Sequence, residues 1–136
     1  MALDPGTRRI GVAISDELRQ IAQPLEFIPA EPFDAFSRRF QELLASMPCE
    51  RIVVGLPRNM DGSYGPAADR VKEFIGRLAQ ITNLPIRTWD ERLTSTQANK
   101  LLIQGGVRRQ DRKEKVDAVA AAILLQSFLD ASAGAS

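Results

Sequence analysis

Apolar residues along this chain recur at two spacings, and the switches between them divide it into elements. Ile10, Val12 and Ile14 alternate with smaller or polar residues from Arg9 to Ser15, the period of a strand. Ahead of them the apolar Ala2 and Leu3 end at Asp4, and Pro5-Gly6-Thr7 supplies turn chemistry, so a β-hairpin is predicted. A third strand is predicted over Pro24–Ile28, stopped by Pro29 and Pro32. From Phe33 the period lengthens: Phe36, Phe40, Leu43, Leu44 and Met47 fall at helical spacing up to Pro48. The run Ile52-Val53-Val54 within Arg51–Leu56 reads as a strand buried on both faces of a parallel sheet. Val71, Phe74, Ile75 and Leu78 predict a helix over Ala67–Ile81, and Pro85–Trp89 a further strand. Thr94 or Ser95 can cap a helix running through Ile103 and ended by Gly105-Gly106. A last helix is predicted from Glu114 to Leu129, with a fraying tail from Ala131 to Ser136.

This order predicts an α/β fold: a five-stranded mixed sheet, antiparallel at its N-terminal strands and parallel afterwards, flanked by about four helices. At 136 residues the chain fits one domain spanning 1–136. Only three residues precede Asp4, and Ala2-Leu3 reads as the end of a strand, so a native N-terminus further upstream is compatible with the pattern. The longest apolar runs, such as Ala118–Leu125, fall short of the roughly 20 residues that cross a bilayer, and no membrane association is expected. The opening residues lack the pattern of a secretory leader, and Cys49 has no cysteine partner, which together point to a reducing cytoplasm.

Composition narrows the chemistry. A net charge of +1 gives no whole-molecule field, so a polyanionic partner has to be met by local clusters of cations. The chain has no histidine, which removes the commonest general base and the commonest transition-metal ligand and excludes zinc hydrolysis and histidine triads. Hydrolysis would run on carboxylates, lysines or tyrosine, and carboxylate oxygens favour a hard cation such as magnesium.

Ligands of such sheets bind outside the carboxyl ends of the parallel strands, and three features are expected there: Asp4 after the first strand, the Gly55–Gly65 loop after the fourth and Asp90-Glu91 after the fifth. Asp4 precedes the turn in which Gly6 permits close approach of a phosphate and Thr7 can donate a hydrogen bond; Asp-Pro-Gly is equally a good turn in its own right. Asp90-Glu91-Arg92 follows a strand, where helix capping accounts for Asp90 but less readily for two adjacent acids and an arginine, which favours a ligand role for Glu91. Asp117 lies in line with Ala120, Ala121, Leu124 and Phe128 on an apolar helix side; a first-turn role at the helix dipole is the alternative to a metal-ligand role. Together Asp4, Glu91 and Asp117 could share one or two hard cations, with Mg2+ or Mn2+ activating water.

Basic residues supply the substrate side. Arg108, Arg109, Arg112, Lys113 and Lys115 crowd the approach to Asp117, while Arg8, Arg9 and Arg58 occupy loops at the same edge; a solvated charged loop is the bland alternative. Asn59 and Ser63 belong to a polar loop able to close over a phosphate or to form a plain surface turn. Trp89 and the phenylalanines fit the core pattern.

Read together, four ordered motifs resemble the YqgF family, relatives of the Holliday-junction resolvases within the ribonuclease-H-like superfamily. They are Leu3-Asp4-Pro5-Gly6-Thr7-Arg8-Arg9-Ile10-Gly11-Val12-Ala13, Gly55-Leu56-Pro57 with Asn59-Met60-Asp61-Gly62-Ser63, Asp90-Glu91-Arg92-Leu93-Thr94, and Val116-Asp117-Ala118-Val119-Ala120-Ala121. The resemblance covers nearly the whole chain. It implies a ribonuclease-H-like fold, active-site acids Asp4, Glu91 and Asp117, and a magnesium- or manganese-dependent nuclease that trims the 5′ end of precursor 16S ribosomal RNA or resolves DNA junctions. The sequence departs from the resolvases proper at Gly55, where they carry an acid on the fourth strand, and at Ala120, where they carry a second helix aspartate. A homodimer would suit a four-way junction, although no surface stripe in the sequence compels one. Two rival functions remain open: a non-catalytic nucleic-acid-binding module, and an ATP-binding phosphotransferase, which one domain of this length disfavours.

Overall fold

The computed structural model describes residues 1–6, 8–16, 18, 20–57, 61, 63–90 and 109–134, with the side chains of 109–117 and 132–134 left aside. Its strands are β1 (Ala2–Pro5), β2 (Arg9–Ser15), β3 (Ala22–Pro29), β4 (Ile52–Leu56) and β5 (Ile86–Asp90). Its helices are α1 (Phe33–Ser46), α2 (Pro66–Ile81) and α3 (Arg109–Gly134). The strands form one mixed sheet in the order β3-β2-β1-β4-β5, with β1–β2 and β2–β3 antiparallel and β1–β4 and β4–β5 parallel. This is the five-stranded mixed sheet expected from the sequence. The helix expected from Thr94 or Ser95 to Ile103 lies outside the described residues.

Local chemistry explains most boundaries. β3 runs from Ala22 to Pro29, longer than Pro24–Ile28, and it tolerates two prolines because it is an edge strand whose ladder is needed on one side only. Its register against β2 slips between Val12 and Ala13, where Val12 faces Glu26 and Ala13 faces Pro24. α2 starts with Pro66 at its first position, where the missing N–H has no intrahelical partner to lose. α3 begins at Arg109 rather than at Glu114 and continues to Gly134, so Arg109, Arg112 and Lys113 belong to a helix and not to a loop. Arg, Gln, Lys and Glu are strong helix formers, and a helix already held by its packed half extends through them at little cost.

Each face of the sheet carries its own core. On one, Leu3, Ile10, Val12, Ile52 and Val54 pack against Phe36, Phe40 and Leu43 of α1 and Val71 and Leu78 of α2. Rings of Phe33, Phe36, Phe40 and Phe74 meet with centroids 5.4–6.4 Å apart between the two helices. On the other face, Ala2, Ala13 and Val53 pack against Ala121, Ala122, Leu124 and Leu125 of α3. Small side chains on both partners let α3 lie close to β1 and β2. Gln126 locks this helix to the β2–β3 turn: the Ala22 N–H donates to its Oε1 at 2.9 Å, and its Nε2 donates to the Gln20 carbonyl at 2.8 Å. On the opposite side Arg39 of α1 forms a bidentate pair with Glu26 of β3, with N–O distances of 2.6 and 3.0 Å. That pairing, with Glu42, raises the Arg39 pKa further above its ordinary value.

Candidate active site

The three parallel strands end at one edge. β1 pairs β4 through Ala2–Val53 and Leu3–Val54, and β4 pairs β5 from Ile52–Ile86 to Leu56–Asp90. Asp4, Leu56 and Asp90 therefore emerge together at the carboxyl side of the sheet, where α/β proteins build their sites.

Alternation along each strand assigns the faces. Ala2 and Val53 belong to the core under α3, whereas Leu3, Ile52 and Val54 belong to the core under α1 and α2. Two residues on from Ala2, Asp4 shares the α3 face, and so does Gly55, two residues on from Val53. Gly55 is paired with Trp89, whose ring meets Phe128 of α3 edge-on at 5.4 Å. One row across the α3 face thus runs from Asp4 through Gly55 to Trp89, with a glycine between the acid and the last strand. Adjacent strands lie about 4.8 Å apart, so the outer members of this row are separated by about 10 Å of backbone.

α3 carries Asp117 toward the same edge. Leu125, Phe128 and Leu129 line a cavity that includes Met1 and Arg51, at the start of β1 and β4. Toward the N-terminus of the helix, Ala121 packs in the cluster with Ala2. One turn earlier comes Asp117. From Ala121 to Asp117 is about 6 Å of helix rise, and from Ala2 to Asp4 about 6.6 Å of strand, in the same direction. By these steps position 117 falls at about the same level along the sheet as position 4.

Asp4 itself is half-buried, and among the described residues nothing hydrogen-bonds or ion-pairs with its carboxylate. A partly buried carboxylate in that state gains from a cation, and its oxygens suit a hard divalent ion. Among the described residues no three acids come together as a metal-binding group; Glu91 and the Asp117 side chain fall outside them.

The turn after Asp4 is tight. The Gly6 N–H donates to the Arg9 carbonyl at 2.8 Å, and a Cβ on Gly6 would lie 2.8 Å from that same oxygen. Arg8 is exposed, and the Arg9 guanidinium lies 5.1 Å over the Phe27 ring of β3. Ser63 donates from both its N–H, at 2.9 Å, and its Oγ, at 2.6 Å, to Asp61 Oδ1. Those bonds, the hydroxyl first and the backbone second, hold the Asp61 carboxyl below its ordinary value. Arg109, Arg112 and Lys113 occupy the first turns of α3, in the direction of Asp117. Thr7, Arg58, Asn59, Arg92 and Arg108 lie outside the described residues.

A feature that sequence reasoning did not single out lies at this edge: an open pocket of about 280 Å³ lined by Leu56, Tyr64, Thr88, Trp89 and Asp90. In the sequence Tyr64 is one more residue of a polar loop, and only its place just before Pro66 of α2 hints at a fixed position. The larger cavity, about 680 Å³, is at the opposite edge and includes Met1, Leu125 and Phe128.

Comparison with known proteins agrees with this architecture. The family model described as RuvX, Holliday junction resolvase, matches residues 1–131. A protein of Pelotomaculum thermopropionicum is 47% identical over 131 residues, covering 96% of this chain and 85% of its own length. One of Desulforamulus reducens is 43% identical over 133 residues, covering 98% and 97%. Both bear the name "Putative pre-16S rRNA nuclease". Among solved structures, T. thermophilus RuvC in complex with Holliday junction substrate aligns with a TM-score of 0.58 at 20% identity, covering 97% of this chain and 93% of its own. Fowlpox virus resolvase aligns with a TM-score of 0.54 at 12% identity, covering 96% and 95%. These likenesses establish the ribonuclease-H-like fold.

Proposed function

The chain belongs to the RuvX family of Holliday junction resolvases and is a nuclease, and from that premise we propose that Asp4, Glu91 and Asp117 hold a divalent ion, Mg2+ or Mn2+, against a nucleic-acid phosphate. The observation that carries this reading is the half-buried Asp4 carboxylate at the carboxyl edge of β1, on the face that α3 covers. Glu91 follows Trp89 by two residues in the sequence, the same step by which Asp4 follows Ala2. Gly55, between them, leaves the middle strand without a side chain in that row, so an acid reaching from the chain after β5 replaces one on β4. A bound divalent ion supplies an activated water and charge stabilisation for the leaving oxygen. The chain's own residues do the rest. The three carboxylates fix the ion's place, while Arg8, Arg9, Arg109, Arg112 and Lys113, with Thr7, Arg58, Asn59, Arg92 and Arg108, contact phosphates on either side of the cut. Ser63, whose hydroxyl donates to Asp61, joins them from the loop ahead of α2.

One nuclease domain acting on structured nucleic acid fits the whole chain, with the 5′ end of precursor 16S ribosomal RNA as substrate, in keeping with the names of relatives that span it almost end to end. The family's description favours a second reading, cleavage of four-way DNA, for which two copies of the chain would act together. No helix among the described residues is long and apolar enough to cross a membrane, and the site of action in this reading is the cytoplasm. The test is a cleavage assay with purified protein, offering precursor 16S RNA, four-way DNA and linear controls in Mg2+, Mn2+ or EDTA. Cleavage of the precursor RNA that needs metal is the expected result. Cleavage of the junction alone selects the second reading, and no cleavage of any substrate in either metal overturns both.

A further inference from the structure

Four large apolar or aromatic side chains are exposed among the described residues, Leu18, Ile21, Phe27 and Tyr64. Leu18 and Ile21 flank the β2–β3 turn at the opposite edge of the sheet, and Phe27 lies beneath the Arg9 guanidinium. Tyr64 differs in its place. It stands just ahead of α2, half of it is exposed, and it lines the pocket at the carboxyl ends of β4 and β5 together with Leu56, Thr88, Trp89 and Asp90. The Lys72 ammonium, one and a half turns into α2, lies 5.3 Å over the Tyr64 ring. An exposed aromatic ring, a neighbouring cation and an open cavity of about 280 Å³ form what an unpaired nucleobase requires: a face to stack on, a charge for its phosphate and room for one ring system. Thr88 and Asp90 add polar atoms at the rim, suited to the N–H groups on a base edge.

We propose that Tyr64 and Lys72 form a stacking subsite that takes one unpaired base of the substrate at the carboxyl edge of the sheet, on the α2 side of β4 and β5. The subsite rests on the nuclease reading for its purpose, since it opens at the carboxyl edge where β1, β4 and β5 end, across the sheet from the row of Asp4, Gly55 and Trp89. It implies that the preferred substrate presents a single-stranded nucleotide beside its duplex. Paired bases inside a helix have no free face to offer.

Binding measured in EDTA, where nothing is cut, tests this apart from catalysis. The probes are a short RNA duplex with a 5′ unpaired overhang bearing 2-aminopurine, its fully paired counterpart, and DNA versions of both. Stacking on Tyr64 is expected to quench the 2-aminopurine. Tyr64→Ala and Tyr64→Leu are expected to abolish that quenching and to weaken overhang binding by about 5- to 150-fold, the contribution of one base–aromatic stack. Fully paired duplexes should bind unchanged. Tyr64→Phe and Tyr64→Trp should retain quenching and affinity. The leucine variant keeps apolar bulk in the cavity, so its loss reports stacking and not folding. A response on RNA alone, DNA alone or both supports the subsite and shows which polymer it takes. Equal binding of overhang and duplex by the wild type, unaltered overhang binding and quenching in Tyr64→Ala, or equal losses on paired duplex would overturn it. Failure of the nuclease reading shows separately, as absence of cleavage by the wild type when Mg2+ or Mn2+ is restored.

Discussion

Trp89 at the end of β5 meets Phe128 of α3 edge-on, ring centroids 5.4 Å apart at 88°, while its indole Nε1–H donates to the neighbouring Ser127 Oγ at 3.0 Å. This contact ties the outermost parallel strand to the helix that carries Asp117, spanning the row in which Asp4 and Gly55 sit. Replacing Trp89 with Ala is expected to cost about 2 kcal/mol, below the roughly 3–5 kcal/mol of a fully buried tryptophan because Trp89 is only half-buried. Trp89→Phe keeps an aromatic ring and should cost about 1 kcal/mol for the lost hydrogen bond. Urea denaturation of both variants checks the order, and equal stability of all three proteins would show that the contact does not couple strand and helix.

Asp4→Asn keeps the size of the side chain and removes its charge. Cleavage is expected to fall by about 1,000-fold or more, equivalent to roughly 4 kcal/mol of transition-state stabilisation, with substrate affinity within about threefold of wild type. Asp117→Asn should behave alike, and the double variant should lose little more, as befits groups acting as one unit. Single-turnover cleavage beside equilibrium binding measures both. An Asp4→Asn protein that still cuts at the wild-type rate removes Asp4 from the site.

Gly6→Ala would place a Cβ 2.8 Å from the Arg9 carbonyl oxygen, which already accepts the Gly6 N–H. Backbone cannot swing aside as a flexible side-chain end can, so the turn has to shift. A loss of about 1–3 kcal/mol is expected, the usual cost of overpacking, together with reduced cleavage because the turn sets Asp4. Chemical denaturation and a cleavage assay on the same preparation decide it; unchanged values in both would mean that the hairpin accommodates the methyl.

The Asp61 carboxyl titrates below its ordinary value because Ser63 donates to it from hydroxyl and backbone. An unfolded aspartate titrates near about 3.9, so the folded value lies lower. The contribution of this contact to loop order is then present above the unfolded value and is lost as pH falls through the folded one. Ser63→Ala, which removes the hydroxyl and keeps the N–H, should move the Asp61 value part of the way back up. Carboxyl carbon NMR titration reads the shift directly, and an Asp61 value indifferent to the substitution would contradict the assigned cause.

Much of the fold was legible in the residue pattern because its signals are local. The alternation of Ile10, Val12 and Ile14 defines β2 from Arg9 to Ser15, and the run Ile52-Val53-Val54 marks β4 as buried on both faces, since both are contiguous stretches that bury on their own period. The start of α3 was less legible. Five cations before Asp117 look like a solvated loop, and only the packing of Ala121, Leu124 and Leu125 on the sheet explains why the helix extends back to Arg109. Tyr64 was silent for a similar reason: its pocket is assembled by residues from three separate parts of the chain.

By itself the amino-acid sequence narrowed the chemistry available to this protein, because a chain without histidine leaves carboxylates, lysines or tyrosine for hydrolysis, and carboxylate oxygens favour a hard cation. It also determined the succession of strands and helices, which local periodicity records. Only the tertiary structure decided which face of the sheet Asp4 shares with Gly55 and Trp89, and that α3 runs along that face toward the same edge. The reason is physical: sidedness depends on which helix buries which alternate residues, and that choice is made by contacts between segments more than a hundred residues apart, such as Ala22 with Gln126, 104 residues along the chain.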